Sequence, residues 1–449
     1  MAHTVIIGNG ISGITTARHL RKLDSQRKIT VISAETDHFF SRTALMYIYM
    51  GHMRYEDTKP YEDFFWSKNR IELKRAYVES IDFQSKHLLM IGGETMAYDQ
   101  LVLALGSKPN KFGWPGQDLS GVQGLYSYQD LEQLEANTDP YGEPQRVKRA
   151  VLVGGGLIGI EMAEMLLTRG IPVTFLVRES HFWGNILPKE ESEMIMRHMA
   201  EHHIDLRVES ELEEILPDES GKVKGVRIKN GEIIECQLVG LTAGVSPNIG
   251  FLKGTELETD RGILVDPFLR TNLPEVYATG DCVQFREPVA GRRALEQVWY
   301  TGRIMGETLA RTLNGTPLAY QPGHWFNSAK FLDIEYQTYG WVFPEPREGE
   351  VHFYWEHQDG KRSIRLNYQK DSLKFIGVNA FGIRLRHDTL DRWLNKEQTA
   401  DHVISHMRDA NFDPEFYKGF EAEMVSAYEE HSGRKIELKK RSLKRIFGI

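Results

Sequence analysis

The sequence predicts an α/β fold with two Rossmann-like dinucleotide-binding domains, one split along the chain and the other inserted into it, plus an α+β C-terminal domain. Three observations carry this. A strand, glycine turn and helix open the chain, a second complete copy follows near residue 150, and a strand ending in Gly-Asp near residue 280 closes the first unit. At 449 residues and 41% apolar content, the chain has material for about three domains of roughly 100–200 residues each.

Residues 5–7 read as a short buried strand, and Gly8-Asn9-Gly10-Ile11-Ser12-Gly13 follows at once, leading into a helical pattern of Ile14, Ala17, Leu20 and Leu23. Here GxGxxG has a physical meaning. Gly8 permits the tight turn, Gly10 lets the backbone approach a pyrophosphate, Gly13 lets helix and strand pack closely, and the helix N-terminus faces phosphate charge. A second strand over 29–32 ends near Glu35, 22 residues after Gly13, close to the roughly 20 expected of an acid that grips a ribose. The apolar run 98–106 reads as another strand stopping at Gly106. The last piece, 275–282, ends in Gly280-Asp281 ahead of a helical run from about 294 to 313. An aspartate there is placed either to accept hydrogen bonds from a polyol or to cap the helix.

Between these pieces lies the second copy: strand 150–153, then Gly154-Gly155-Gly156-Leu157-Ile158-Gly159-Ile160-Glu161, a helix to about 169 and a strand over 173–177. Two fingerprints in proper context imply two dinucleotides, one a resident electron carrier and the other a visiting hydride donor. Glu179 stands 20 residues after Gly159, where a carboxylate takes the ribose hydroxyls of NAD, whereas Arg178 is placed to neutralise the extra phosphate of NADP. Both donors stay open, with a lean towards NADH.

Composition excludes several classes. No run approaches the roughly 18 apolar residues of a membrane-spanning helix, and a net charge of -8 makes nucleic acid an unexpected partner. The opening MAHTVIIGNG passes straight into strand and turn, so a cytoplasmic protein is expected. Cys236 and Cys282 form neither a CxxC pair nor an iron–sulfur spacing, so redox chemistry has to sit on a bound cofactor. His198 and His202 share one helical face, but no carboxylate or cysteine partner is evident. A solvated face, without a metal, is expected.

The ordered set GNGISG, LVLALG, GGGLIGIE, TAGVSPN and VYATGDC resembles the pyridine nucleotide-disulfide oxidoreductase superfamily over about residues 3 to 400. In that superfamily an NAD(P) domain is inserted into a split FAD domain. The resemblance implies FAD held by Gly8, Gly10, Ile11, Ser12, Gly13, Glu35, Arg42, Val78, Ala104, Gly106, Gly280 and Asp281, and NADH or NADPH held by Gly154, Gly156, Gly159, Arg178, Glu179 and Gly244. The expected division is 1–115 with 246–315 for FAD, 116–245 for NAD(P), 316–400 for a C-terminal interface domain, and 401–449 for a helical extension with a basic tail.

Disulfide and peroxide reductases of this superfamily carry a redox-active cysteine in the segment that reads Phe40-Ser41-Arg42-Thr43-Ala44-Leu45-Met46-Tyr47 here. Thr43 stands at the matching position, and a hydroxyl cannot shuttle electrons as a thiolate does. The chain is therefore similar to the cysteine-free subgroup: rubredoxin and ferredoxin reductases, the flavin part of nitrite reductases, and apoptosis-inducing-factor-like proteins. By that resemblance Arg42 lies near the flavin and Glu161 approaches nicotinamide and flavin, which makes these two the candidate catalytic residues. Residues 325–331, WFNSAKF, are similar to the subgroup's WFWSDQ-type segment, with Ala329 where an acid is usual. Ordinary core packing is the commoner role for Trp325 and Phe326.

The expected function is an FAD-dependent NAD(P)H oxidoreductase that passes electrons to a ferredoxin- or rubredoxin-type protein. A peripheral NAD(P)H:quinone oxidoreductase and an NADH-responsive redox-sensing binding protein are the alternatives. A homodimer is expected. The last sixteen residues carry seven basic side chains against the single Glu437. That tail offers a contact for an acidic redox protein or an anionic membrane surface.

Overall fold

The computed structural model describes residues 2–139, 147–412 and 419–440. The part of the basic tail from 441 onward lies outside the described residues. Within them, no helix is long and apolar enough to cross a membrane.

The first sheet is wholly parallel, in the spatial order Val276–Ala278, Gln100–Leu103, His3–Ile7, Lys28–Ser33 and Ile71–Arg75. Its central strand is buried on both faces, as a near-continuous apolar run requires when helices cover a parallel sheet. The edge strand Val276–Ala278 arrives only after the whole inserted unit, so the first unit is split in space as the Gly-Asp strand predicted. Helices Ile11–Leu23 and Trp299–Leu313 pack closely on it. At Gly306 a Cβ would meet the Ser12 carbonyl oxygen at 2.5 Å, so only glycine allows this approach. The second of these helices begins at Trp299 rather than near residue 294, with Val298 in an extended conformation at its N-cap.

The second parallel sheet has the order Asp205–Arg207, Val173–Leu176, Ala150–Val153, Leu238–Leu241 and Val122–Gln123. Each parallel sheet carries a three-stranded antiparallel meander, 78–97 in one unit and 212–235 in the other. The two chain crossings into and out of the inserted unit pair with each other, Ser107–Pro109 antiparallel to Val245–Pro247.

The third sheet is antiparallel, in the order Phe326–Phe331, Ile334–Gly340, Phe375–Phe381, Ser363–Gln369 and Glu350–Glu356. Helix Glu421–Ser432 lies against it through Met424, Val425 and Tyr428, and the Tyr428 and Phe353 rings meet edge to face at 5.1 Å. Apolar side chains of the inserted unit, of residues 40–50 and of the third sheet (Phe331, Tyr336, Phe381) form one continuous core. Glu191 on helix Lys189–Glu201, fully buried, accepts from Arg365 Nε at 3.2 Å and Asn379 Nδ2 at 2.9 Å, so a polar pin crosses the same junction.

The solvated histidine face expected from the sequence is corrected here. His198 is buried, and Asp333 and Glu201 hold its ring nitrogens. Asp333 comes from a hairpin turn more than a hundred residues away, so its approach was invisible along the chain.

Candidate active site

The loops at the C-terminal ends of the first sheet enclose a cavity of about 730 Å³, towards the upper end of the roughly 300–1,000 Å³ typical of ligand pockets. Gly8, Gly10, Ile11, Ser12, Glu35, Arg42, Val78, Ala104, Gly106, Gly280 and Asp281 line it. Gly13 does not. A Cβ there would sit 2.1 Å from the Gly8 carbonyl oxygen and 3.2 Å from Ala104 Cβ, so its place is in the packing beneath the turn. Glu161 and Ile158 of the inserted unit line the same cavity, so the two units share one space.

Helix Ile11–Leu23 opens onto this cavity at Gly10 with no side-chain cap and no acid in its first turn. Its first N–H groups are thus available to an anion. Helix Leu157–Thr168 begins the same way at Gly156. By contrast, helix Tyr128–Asn137, which serves no nucleotide turn, is closed by a capping box of Ser127 and Asp130.

A polar strip runs along one wall. The Tyr126 hydroxyl and Ser107 Oγ donate to Asp281 Oδ2 at 3.3 and 3.4 Å, Gln297 Nε2 donates to Ser107 Oγ at 2.5 Å, and the Ser107 N–H donates to the Tyr126 hydroxyl at 2.9 Å. Burial raises the Asp281 carboxyl above its ordinary range, an effect that the Tyr126 bond, the Arg42 charge and Ser107 oppose. On the other wall Arg42 grips Glu35 with both ends of its guanidinium, Nη1 to Oε1 at 2.7 Å, while the Tyr128 N–H adds a bond to Oε1 at 2.9 Å. The Arg42 guanidinium lies 4.5 Å from the Tyr126 ring centroid. It is therefore engaged by Glu35 and Tyr126 rather than projecting alone into the cavity.

Glu161 sits on the second turn of helix Leu157–Thr168. Burial pushes its carboxyl up to about 7, reinforced by the like charge of Glu164 and opposed by Lys330. Lys330, from strand Phe326–Phe331, donates to Glu164 Oε1 at 2.6 Å and stands 5.7 Å from the Tyr47 ring centroid. Residues of all three sheet-bearing parts thus meet around this carboxylate. Thr43 and Met46 line the cavity, and neither cysteine is among its lining residues. Both thiols are buried and pushed by burial to about 12.

The second turn is built like the first but lies outside this cavity. A Cβ at Gly154 would meet Ala243 Cα at 2.7 Å, and one at Gly159 would meet Phe175 and the Gly154 carbonyl oxygen at 2.8 Å, whereas the corresponding position at Gly156 is open. Gly244 takes a positive φ, and its carbonyl oxygen accepts from the Asn110 N–H at 3.1 Å. Arg178 Nε donates to Glu179 Oε1 at 2.8 Å. The arginine side chain is 74% exposed and the glutamate 30%, so the carboxylate is the more inward of the two.

Sequence reasoning missed Tyr126, Ser107, Gln297, Trp299, Lys330 and Glu164. Trp299, not Trp325, is the tryptophan that lines the cavity; Trp325 instead stacks on Trp341 at 5.4 Å. Gln297 lies just before a helix that was legible and Trp299 is its first residue, and positions at a helix start are the one signal that pointed to them.

Two glycine turns on parallel sheets, the first opening onto a cavity that Ile158 and Glu161 of the inserted unit also line and that no cysteine reaches, define a flavin-type oxidoreductase that uses FAD and a nicotinamide dinucleotide. The chain belongs to the pyridine nucleotide-disulphide oxidoreductase family, whose sequence model matches residues 2–305. It is 27% identical over 387 residues to the nitrite reductase [NAD(P)H] of Bacillus subtilis (strain 168), covering 85% of this chain and 46% of that protein. It thus spans about half the length of that relative. It is 29% identical over 345 residues to a ferredoxin–NAD(P)(+) reductase of a Sphingomonas species, covering 75% of this chain and 80% of that protein. The ferredoxin reductase for the CYP199A2 system of Rhodopseudomonas palustris superposes with a TM-score of 0.76 at 23% identity, over 92% of this chain and 96% of the other. That likeness shows the fold.

Proposed function

We propose that the chain takes hydride from a nicotinamide dinucleotide onto FAD and passes electrons to a small redox protein of the ferredoxin or rubredoxin type. One observation carries the reading: a single cavity is lined both by the first nucleotide turn with Asp281 and by Glu161 of the inserted unit, without a cysteine. When bound, FAD supplies the step from a two-electron donor to a one-electron acceptor. The similarity to ferredoxin reductases supports the acceptor class.

The residues fit such a cofactor. The uncapped helix start at Gly10 offers N–H donors to a pyrophosphate, Asp281 with Ser107 and Gln297 would receive a polyol, and Glu35, which lines the same cavity, would take a ribose hydroxyl. Arg42 is a positioning residue that fixes the Glu35 carboxylate. Gly154, Gly156 and Gly159 form the turn for the nicotinamide dinucleotide, and Gly244, next to the Ala243 that packs on Gly154, would line its pocket. Anaerobic stopped-flow reduction by NADH and NADPH, followed by mixing with ferredoxin, rubredoxin and a short-chain quinone, tests the reading. Rapid reoxidation by one of the two proteins is expected. Slow flavin reduction by both nucleotides would overturn it.

Glu161 supplies a charge rather than a proton relay. With a nicotinamide bound in the cavity, the Glu161 carboxylate would stabilise the positive charge that the ring gains on giving up hydride. Because the Glu161 carboxyl is pushed up to about 7, it is neutral below that pH and charged above, so the rate of flavin reduction should rise through about pH 7. Glu161→Gln should hold the rate near its low-pH value. Lys330→Met, by removing the cation that lowers the Glu161 pKa, should move the inflection upward. A flat profile in the unmodified protein would contradict the assignment.

The inward Glu179 makes NADH the preferred donor. Glu179→Ala is expected to lower kcat/KM for NADH by about tenfold, and Arg178→Ala to reduce only the use of NADPH. Steady-state kinetics with both nucleotides checks this. An equal loss for both donors in either variant would remove the distinction.

A further inference from the structure

The inserted unit and the third sheet meet at a cluster that neither nucleotide turn uses. Helix Lys189–Glu201 carries His198 in its last turn and ends at His202, and the turn between strands Phe326–Phe331 and Ile334–Gly340 brings Asp333 to both. His198 Nε2 and His202 Nε2 face the same oxygen, Asp333 Oδ1, the second at 3.2 Å. One donor atom from each residue lies within 4.8 Å of the others. The imidazole planes stand at 78° with centroids 4.6 Å apart, so the rings converge on the carboxylate instead of stacking on each other.

The His198 side chain is 1% exposed, whereas those of His202 and Asp333 are 39% and 57% exposed, giving the cluster a closed floor and an open side. His198 Nδ1 lies 3.2 Å from Glu201 Oε2. A proton held there by the carboxylate leaves Nε2 as a lone-pair donor, which is the tautomer that metal ligation requires.

We propose that His198, His202 and Asp333 bind a zinc-type divalent ion, which clips the inserted nucleotide-binding unit to the C-terminal sheet. Two imidazoles and one carboxylate suit zinc or its first-row neighbours, whereas magnesium and calcium take shells of oxygen. Tetrahedral bonds of about 2.0–2.1 Å need donors about 3.4 Å apart, close to the His202–Asp333 spacing of 3.2 Å, so the His198–Asp333 contact has to open and the two imidazole nitrogens to draw together, with water on the open side completing the tetrahedron. Lys361 occupies the flank. Its Nζ lies 3.6 Å from Asp333 Oδ2 and 3.7 Å from Glu201 Oε2, so its charge opposes an incoming cation. This assignment is independent of the acceptor and of the hydride donor.

The test is calorimetric titration of metal-stripped, tag-free, flavin-loaded protein with zinc chloride, alongside its thermal midpoint. One zinc per chain at micromolar concentration and a raised midpoint are expected, with no response to magnesium. His202→Ala and Asp333→Asn should each weaken zinc binding by about tenfold or more while bound flavin stays unchanged. Lys361→Ala, which removes an exposed side chain and spares the ligands, should tighten it. Absence of stoichiometric zinc binding, an equal response to magnesium, or zinc affinity indifferent to His202, Asp333 and Lys361 would each overturn the proposal.

Discussion

Asp281→Ala should be purified with little bound flavin, its FAD affinity lowered by about 2 kcal/mol or roughly 30-fold, the scale of a hydrogen bond to a charged group. The carboxylate lies in the polar strip with Tyr126 and Ser107, and no other acid on that wall can replace it. Truncation also strands the Tyr126 hydroxyl and Ser107 Oγ, which now donate to it. The pH sense follows from the same burial. Because the Asp281 carboxyl is raised, its charged form is lost on acidification at a higher pH than for an ordinary aspartate, and flavin should be released there. Asp281→Asn should retain more flavin than Asp281→Ala and lose that acid dependence. Fluorescence titration of the apoprotein with FAD measures both effects, and full flavin content in Asp281→Ala after dialysis would contradict the role.

Two glycines of one turn should fail in different ways. Gly8 has φ +116°, and a Cβ there would stand 2.0 Å from the Ala104 carbonyl oxygen, so Gly8→Ala has to displace the strand Gln100–Leu103 or rebuild the turn. A destabilisation of about 3 kcal/mol or more is expected, visible as a lower thermal midpoint even without flavin. At Gly10 a Cβ meets nothing within 4 Å. Gly10→Ala should therefore leave the apoprotein midpoint nearly unchanged while weakening FAD binding by about tenfold, because the methyl group occupies the approach of the pyrophosphate. Similar apoprotein stability in the two variants would show that the packing and binding roles had been divided wrongly.

Much of the architecture was legible because it is written locally. The runs around Val5, Val151 and Leu101 are apolar without alternation, which is the mark of strands covered on both faces, and each glycine turn stands between such a run and a helical pattern. Glu35 and Asp281 were found because strand ends in this fold deliver their side chains to one rim. The start of the helix after Asp281 was misplaced by five residues, since Ala294-Leu295-Glu296-Gln297-Val298 carries no breaker, yet Val298 is extended and caps the helix. Arg42 shows the limit of carrying a role over by motif. Arg42 lines the cavity, but its partner, Glu35, had to be seen.

The sequence by itself determined the two nucleotide turns, their order, the split of the first unit, and the absence of a cysteine at the position where Thr43 stands. These follow from chain-local chemistry: backbone freedom at glycine, strand and helix periodicity, and residue identity at a fixed spacing. Only the tertiary structure decided which glycines pack and which face open space, that Tyr126, Ser107 and Gln297 surround Asp281, that burial raises the Glu161 carboxyl against the opposing charge of Lys330, and that Asp333 meets His198 and His202. Each of these depends on distances between residues far apart in the chain. Burial and Coulomb interactions act through space, and no pattern along the backbone records them.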